Sequence, residues 1–193
     1  MKYFYIILVL AFSIAACDSK KHNDSAEATH HDTEHAREDN DNSHTTDDSD
    51  ATSQYASINE DEASNLLDAY LSLKDALVQS SSELAQNAAK EITKVVEGSS
   101  ESQLLSGLMK DANQIAQTDE MEKIRTHFED LSQHIYKMVK AKDTGKTVYK
   151  QYCPMAFDNE GAFWLSSEEE IKNPYFGDRM LRCGKVQETL SSK

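Results

Sequence analysis

Positive charge is in short supply in this chain. Its 193 residues carry 20 lysines and arginines against 34 aspartates and glutamates, a formal net charge of −14. Nothing in that balance could neutralise a phosphate backbone, so nucleic acid is excluded as a partner. Proline is rarer still. The two present, Pro154 and Pro174, both lie near the C-terminus, so no proline interrupts the sequence between them and the first residue. Glycine-rich phosphate loops are missing, as are His-Glu-x-x-His and Gly-x-Ser-x-Gly. A cysteine nucleophile finds no support either, since Cys153 is followed by proline and no partner histidine is signalled. These absences argue against an enzyme.

No apolar run is long enough to span a bilayer. The run from Phe4 to Phe12 is too short and sits behind Lys2 and ahead of the small pair Ala15-Ala16, which is the layout of a secretory signal. Ile14-Ala15-Ala16-Cys17 resembles a bacterial lipobox, which implies that residues 1–17 form a lipoprotein signal peptide with a lipidated Cys17. Two or more acyl chains anchor a protein stably, at about 0.8 kcal/mol per buried methylene. The expected location is therefore the bacterial cell envelope, held to a membrane by lipid.

Residues 18–58 read as a disordered, acidic, histidine-rich tether. Between Asp18 and Glu60 there is no glycine or proline and almost no large apolar residue; twelve acidic residues face only Lys20, Lys21 and Arg37. Such a segment cannot bury enough apolar surface to offset its ordering entropy. It carries five of the seven histidines: His22, His30, His31, His35 and His44. Imidazole beside carboxylate suits Cu(II), Zn(II) and Ni(II), so the tail is a candidate for metal capture; the plainer reading is a solvated linker.

The rest, 59–193, is long enough for one domain with one core. Four helical patterns come first. Asn59 with Glu62 and Ser80 with Glu83 make capping boxes ahead of two apolar stripes; Ser100 with Gln103 starts a third, and Thr118-Asp119 opens a fourth. The fourth carries Met121, Ile124, Phe128, Leu131, Ile135, Met138 and Val139. Short connections predict antiparallel neighbours. After Gly145 come most of this domain's aromatics and both prolines. Asp158-Asn159-Glu160-Gly161 reads as the turn of a β-hairpin, and Gly184 as the end of a short helix carrying Met180 and Cys183. The fold expected is mainly α: an antiparallel four-helix up-and-down bundle with a C-terminal cap of a short β-hairpin and a short helix.

That cap carries the strongest chemical signal. Cys153-Pro154-Met155 is answered by Met180-Leu181-Arg182-Cys183-Gly184, and four soft sulfur donors suit Cu(I). Cys153 and Met155 share a face on an extended strand; Met180 and Cys183 share one on a helical turn. Two other readings compete. A Cys153–Cys183 disulfide would suit an oxidising compartment and, closing about thirty residues, would constrain the unfolded chain by roughly 3–4 kcal/mol. The cysteines also fit as small apolar core residues. Met109, Met121 and Met138 read as packing. His127 and His134 are seven apart, about 10 Å along a helix, too far to share one ion. His134, nearer the cap, is the auxiliary-ligand candidate, with exposed helix surface as the default for both.

Tyr70-x-x-Leu73-Lys74-Asp75-Ala76-Leu77-Val78 and Phe128-x-x-Leu131-Ser132 resemble the bacterial domain of unknown function 3347 family. So do Cys153-Pro154-Met155-Ala156-Phe157, Gly161-Ala162-Phe163-Trp164-Leu165-Ser166, Asn173-Pro174-Tyr175-Phe176-Gly177 and Met180-Leu181-x-Cys183-Gly184. The resemblance covers roughly residues 60–190. It implies a metal-handling setting, because that family is similar to, and sometimes fused to, periplasmic adaptors of copper- and silver-type efflux pumps; it implies no activity. Two functions therefore stand. One is a lipid-anchored envelope protein binding copper, as Cu(I), for buffering or handover to a heavy-metal efflux adaptor. The other is a non-catalytic interaction module on a flexible tether, stapled by Cys153–Cys183.

Overall fold

The computed structural model describes residues 55–97 and 103–192, all within one compact unit. The expected signal peptide with Cys17, the histidines His22, His30, His31, His35 and His44, and the junction residues Gly98 and Ser100 lie outside the described residues. Among the described residues no helix is long and apolar enough to cross a membrane.

Helix α1 (Glu60–Val78) begins where the sequence placed it. Asn59 Oδ1 accepts from the Glu62 amide and Glu62 Oε2 accepts from the Asn59 amide, both at 2.9 Å, so two otherwise orphaned donors are satisfied reciprocally. Folding starts slightly earlier than the expected boundary. Tyr55 and Ile58 are buried, and the Tyr55 hydroxyl donates to the His134 carbonyl at 2.7 Å. α2 (Ser82–Glu97) buries Ala85, Ala88, Ala89, Ile92 and Val96. Its start differs from the Ser80 expected: Ser80 takes a positive φ of 52°, and Ser81 accepts from the Ala85 amide through its carbonyl and from the Leu84 amide through its hydroxyl. Three serines in a row make the capping position undecidable until the turn geometry is known.

α3 (Gln103–Gln117) buries Leu105, Leu108, Ala112 and Ile115, and α4 (Met121–Ala141) buries Ile124, Phe128, Leu131, Ile135, Met138 and Val139. Each helix packs on the next, and α1 also meets α4. The stripes read from the sequence are these buried faces.

Beyond α4 the chain forms a three-stranded antiparallel sheet in the order β2-β1-β3, with β1 Val148–Cys153, β2 Ala162–Ser166 and β3 Lys185–Leu190. The β1–β2 hairpin was expected. Its connection contains a turn at Ala156–Asn159 in which Phe157, Asp158 and Asn159 all have positive φ, followed by Gly161 at φ 82°. A Cβ on Gly161 would stand 1.9 Å from the Tyr152 hydroxyl, so only glycine lets that ring close over the turn.

The expected short helix is absent. In its place a single 3₁₀ turn, Gly177–Arg179, ends at Met180, and the chain then enters β3. Gly184, at φ 146°, opens a strand instead of closing a helix. Lys185–Leu190 is short, half-exposed and lies at the sheet edge, so its strand state depends on β1 as a hydrogen-bonding partner, which periodicity does not report.

The two sheet faces are filled differently. Lys150 lies over the rings of Tyr136 (from α4) and Phe163, at 4.3 and 4.5 Å, and the Leu165 amide donates to the Tyr70 hydroxyl of α1. The face carrying Cys153, Gln151 and Trp164 is covered by residues 167–184: Gln151 Nε2 donates to the carbonyls of Glu168 and Glu169. Gly184 comes so close to Trp164 that a Cβ there would meet its ring at 3.0 Å. An aromatic series joins bundle to cap. Tyr70 stacks on Phe128 at 5.2 Å, Phe128 meets Tyr175 at 5.7 Å, and Tyr175 meets Trp164 at 5.9 Å and Phe157 at 5.4 Å.

Candidate thiol site

Cys153 closes β1 and is fully buried. Cys183 stands two residues before β3 and is half-buried. Antiparallel pairing of β3 with β1 sets the second cysteine beside the first: both are free thiols, with their sulfurs 2.9 Å apart although 30 residues separate them.

Asn173 holds the second thiol in place. This fully buried side chain donates from Nδ2 to the Cys183 carbonyl at 2.7 Å, while its Oδ1 accepts from the Tyr175 and Phe176 amides. Its own amide donates to the Leu181 carbonyl. One asparagine thereby pins both ends of the loop that delivers Cys183, a turn-forming use of Asn that Pro174 reinforces. The sequence signalled a turn at Asn173-Pro174, not that this asparagine positions a thiol.

The hydrogen bond with Cys153 is the main reason the Cys183 thiol is pushed up to about 11; burial and the neighbouring sulfur add to it. A raised thiol pKa means less thiolate at neutral pH, so Cys183 is held as a donor-ready thiol that stays protonated until an ion or base removes the proton. The stability this contributes is complete below the range of an unfolded thiol and is lost as pH climbs through about 11. In the metal-free, reduced protein, iodoacetamide at pH 8 is expected to modify Cys183 at least about tenfold more slowly than an unfolded thiol. Urea should abolish the difference. Equal rates in folded and unfolded protein would contradict the assigned environment.

The methionines sit otherwise than their spacing suggests. β1 ends at Cys153, and Met155 lies beyond Pro154 with φ −97° and ψ −6°, so the extended backbone that would put residues 153 and 155 on one face is not there. Met155 is 46 % exposed. Met180 is half-buried at φ −150°, ψ 52°, outside helical geometry, although the Cys183 amide donates to its carbonyl across a turn. His134 is placed on the helices: its Nε2 is 3.7 Å from Asp111 Oδ2 of α3, and its ring lies against Gly107. Trp164 is a buried anchor on the sheet face that also carries Cys153.

Two juxtaposed thiols offer two chemistries. As thiolates they are soft donors suited to Cu(I), and ion binding itself assists their deprotonation. By losing two protons and two electrons to an oxidant they close a disulfide.

Residues 66–147 match the family described as Protein of unknown function (DUF3347). The match runs from within α1 to the residue before β1, so it covers the helices and leaves out both cysteines and the segment that carried the denser resemblance. No curated protein and no solved structure matches the chain.

Proposed function

We propose, for a chain whose helical segment belongs to the DUF3347 family of unknown function, a lipid-anchored, non-catalytic envelope protein that binds copper as Cu(I). Cys153 and Cys183 are its principal ligands. The observation that carries this reading is the meeting of two free thiols at 2.9 Å, one buried and one half-buried. Met155, exposed just past the end of β1, and Met180, at the turn preceding Cys183, are thioethers available for transient ligation as an ion arrives or leaves. We read the four helices as an antiparallel up-and-down bundle, because connections as short as 79–81 and 118–120 leave little other choice. Lipid on Cys17 holds the protein to a membrane, the histidines of the tail raise the local concentration of divalent ions, and the bound copper is buffered or passed to a heavy-metal efflux adaptor.

Anaerobic Cu(I) titration of the full mature chain against a competing chelator tests this. One equivalent should bind tightly, with quenching of the emission of Trp164. Cys153→Ser and Cys183→Ser should each weaken binding by at least about tenfold; Met155→Ala and Met180→Ala should do so less, mainly by slowing transfer to the chelator. A Cys153→Ser/Cys183→Ser double variant that binds like wild type sinks the proposal.

The same sulfur distance favours a second reading, the interaction module stapled by a Cys153–Cys183 disulfide. A thiol count on protein isolated from its envelope, before and after reductant, separates the two. Two thiols without reductant support copper, and a bridge that persists supports the staple.

A further inference from the structure

We infer that α3 and α4 form a second, chemically different metal site, taking a borderline divalent ion of the Zn(II) type. Its ligands are Asp111, His127 and Asp130, with His134 positioning Asp111. His127 and Asp130 are three apart on α4 and so share one face. Asp111 reaches across from α3. One donor atom from each of the three lies within 4.8 Å of the other two. Bonds of about 2.0–2.1 Å to a tetrahedral ion put ligand atoms about 3.3 Å apart, so small side-chain rotations close the site.

The arrangement removes the objection that spacing raises. Two histidines seven apart on one helix cannot meet at one ion, but the carboxylate from the neighbouring helix stands between them. Asp111 Oδ1 is 3.4 Å from His127 Nδ1, and Oδ2 is 3.7 Å from His134 Nε2. Gly107 permits this: a Cβ there would stand 3.0 Å from Cε1 and Nε2 of His134.

Two observations favour an ion over a plain surface cluster. Asp111 is only 6 % exposed, and the exposed Asp130 stands beside it as a second carboxylate, so two negative charges meet at the edge of the helix pair. Nδ1 of His127 is buried and makes no well-formed hydrogen bond, although the Asp111 carboxylate stands 3.4 Å away, a gap that an ion between them would bridge. Beside the cluster lies a recess of about 270 Å³ lined by Gly107, Lys110, Asp111, Asp130, His134 and Lys137 among others. Three protein ligands with an open fourth position describe an ion that can load and unload. Two hard carboxylates with one borderline imidazole suit Zn(II) better than Cu(I), so the two sites divide metals by softness.

The test is zinc titration, by calorimetry and by thermal melting, of the full mature chain carrying Cys153→Ser and Cys183→Ser and with the five tail histidines replaced by glutamine. That background removes the two thiols of the copper reading and the tail imidazoles, so its outcome is independent of the copper reading. One equivalent of Zn(II) should bind and raise Tm; His127→Gln and Asp111→Asn should each lower affinity at least tenfold and abolish the Tm shift. Gly107→Ala should weaken binding by displacing His134. Should Asp111→Asn fail to fold, Asp130→Asn, at an exposed position, gives the same reading. Absence of zinc binding in the background chain, or binding indifferent to His127→Gln and Asp130→Asn, overturns the inference.

Discussion

Trp164→Ala is expected to lower the unfolding free energy by about 3–5 kcal/mol, the largest effect of any single replacement in the cap. Trp164 is the only tryptophan of the chain, fully buried, opposite Gln151 on β1 and edge-on to Tyr175. Gly184 brings the start of β3 against its ring, so an alanine leaves a cavity that a backbone already in contact cannot readily fill. Urea unfolding followed by circular dichroism at 222 nm measures the loss. Trp164→Phe should cost much less. Volume is lost, but the indole Nε1 is buried without a partner, so an unsatisfied donor disappears with it. An alanine variant within about 1 kcal/mol of wild type would show that this ring does not hold the cap.

The second large effect is expected at Arg125. Its guanidinium is buried on α4 and donates from Nε to the Pro174 carbonyl at 3.0 Å and from Nη2 to the Ser80 hydroxyl at 3.1 Å. One side chain thus ties the α1–α2 turn and the 173–177 loop to α4. Glu122, its partner at 3.6 Å, is largely exposed and adds little. Arg125→Ala removes two charge-assisted bonds, strands a buried carbonyl and opens a void, for a cost of about 2–4 kcal/mol. Arg125→Lys is not expected to rescue, because a point charge cannot serve both acceptors as the planar fork does. Because Asn173 and Cys183 belong to the same loop system, hydrogen exchange at the Tyr175 and Phe176 amides should speed up along with the loss of stability. Unchanged exchange there would mean that the loop is fixed without Arg125.

The helices were legible because their determinants are local. Asn59 and Glu62 cap each other three residues apart, and Phe128, Leu131 and Ile135 return to one face by helical repeat alone. Ser80 failed as a cap for a reason equally local: Ser81 and Ser82 compete for the same role, and only the positive φ of Ser80 settles it. The hairpin was visible in its turn residues. β3 was not, since a half-exposed edge segment is a strand only when β1 lies beside it. Face-sharing by Cys153 and Met155 assumed a strand that continues, whereas Pro154 ends it.

The sequence by itself determined the charge, the leader-like start, the histidine tail, four helical stripes and the presence of two cysteine–methionine couples. Each is a property of composition or of residues within a few positions of one another. Tertiary structure alone decided which of these groups meet. It joined Cys153 to Cys183 across a strand pairing, left the methionines without the faces their spacing promised, and carried Asp111 between two histidines of another helix. Ligand sets are made by contacts between distant segments, and those contacts follow from how the helices and strands pack against one another, which no spacing along one element records.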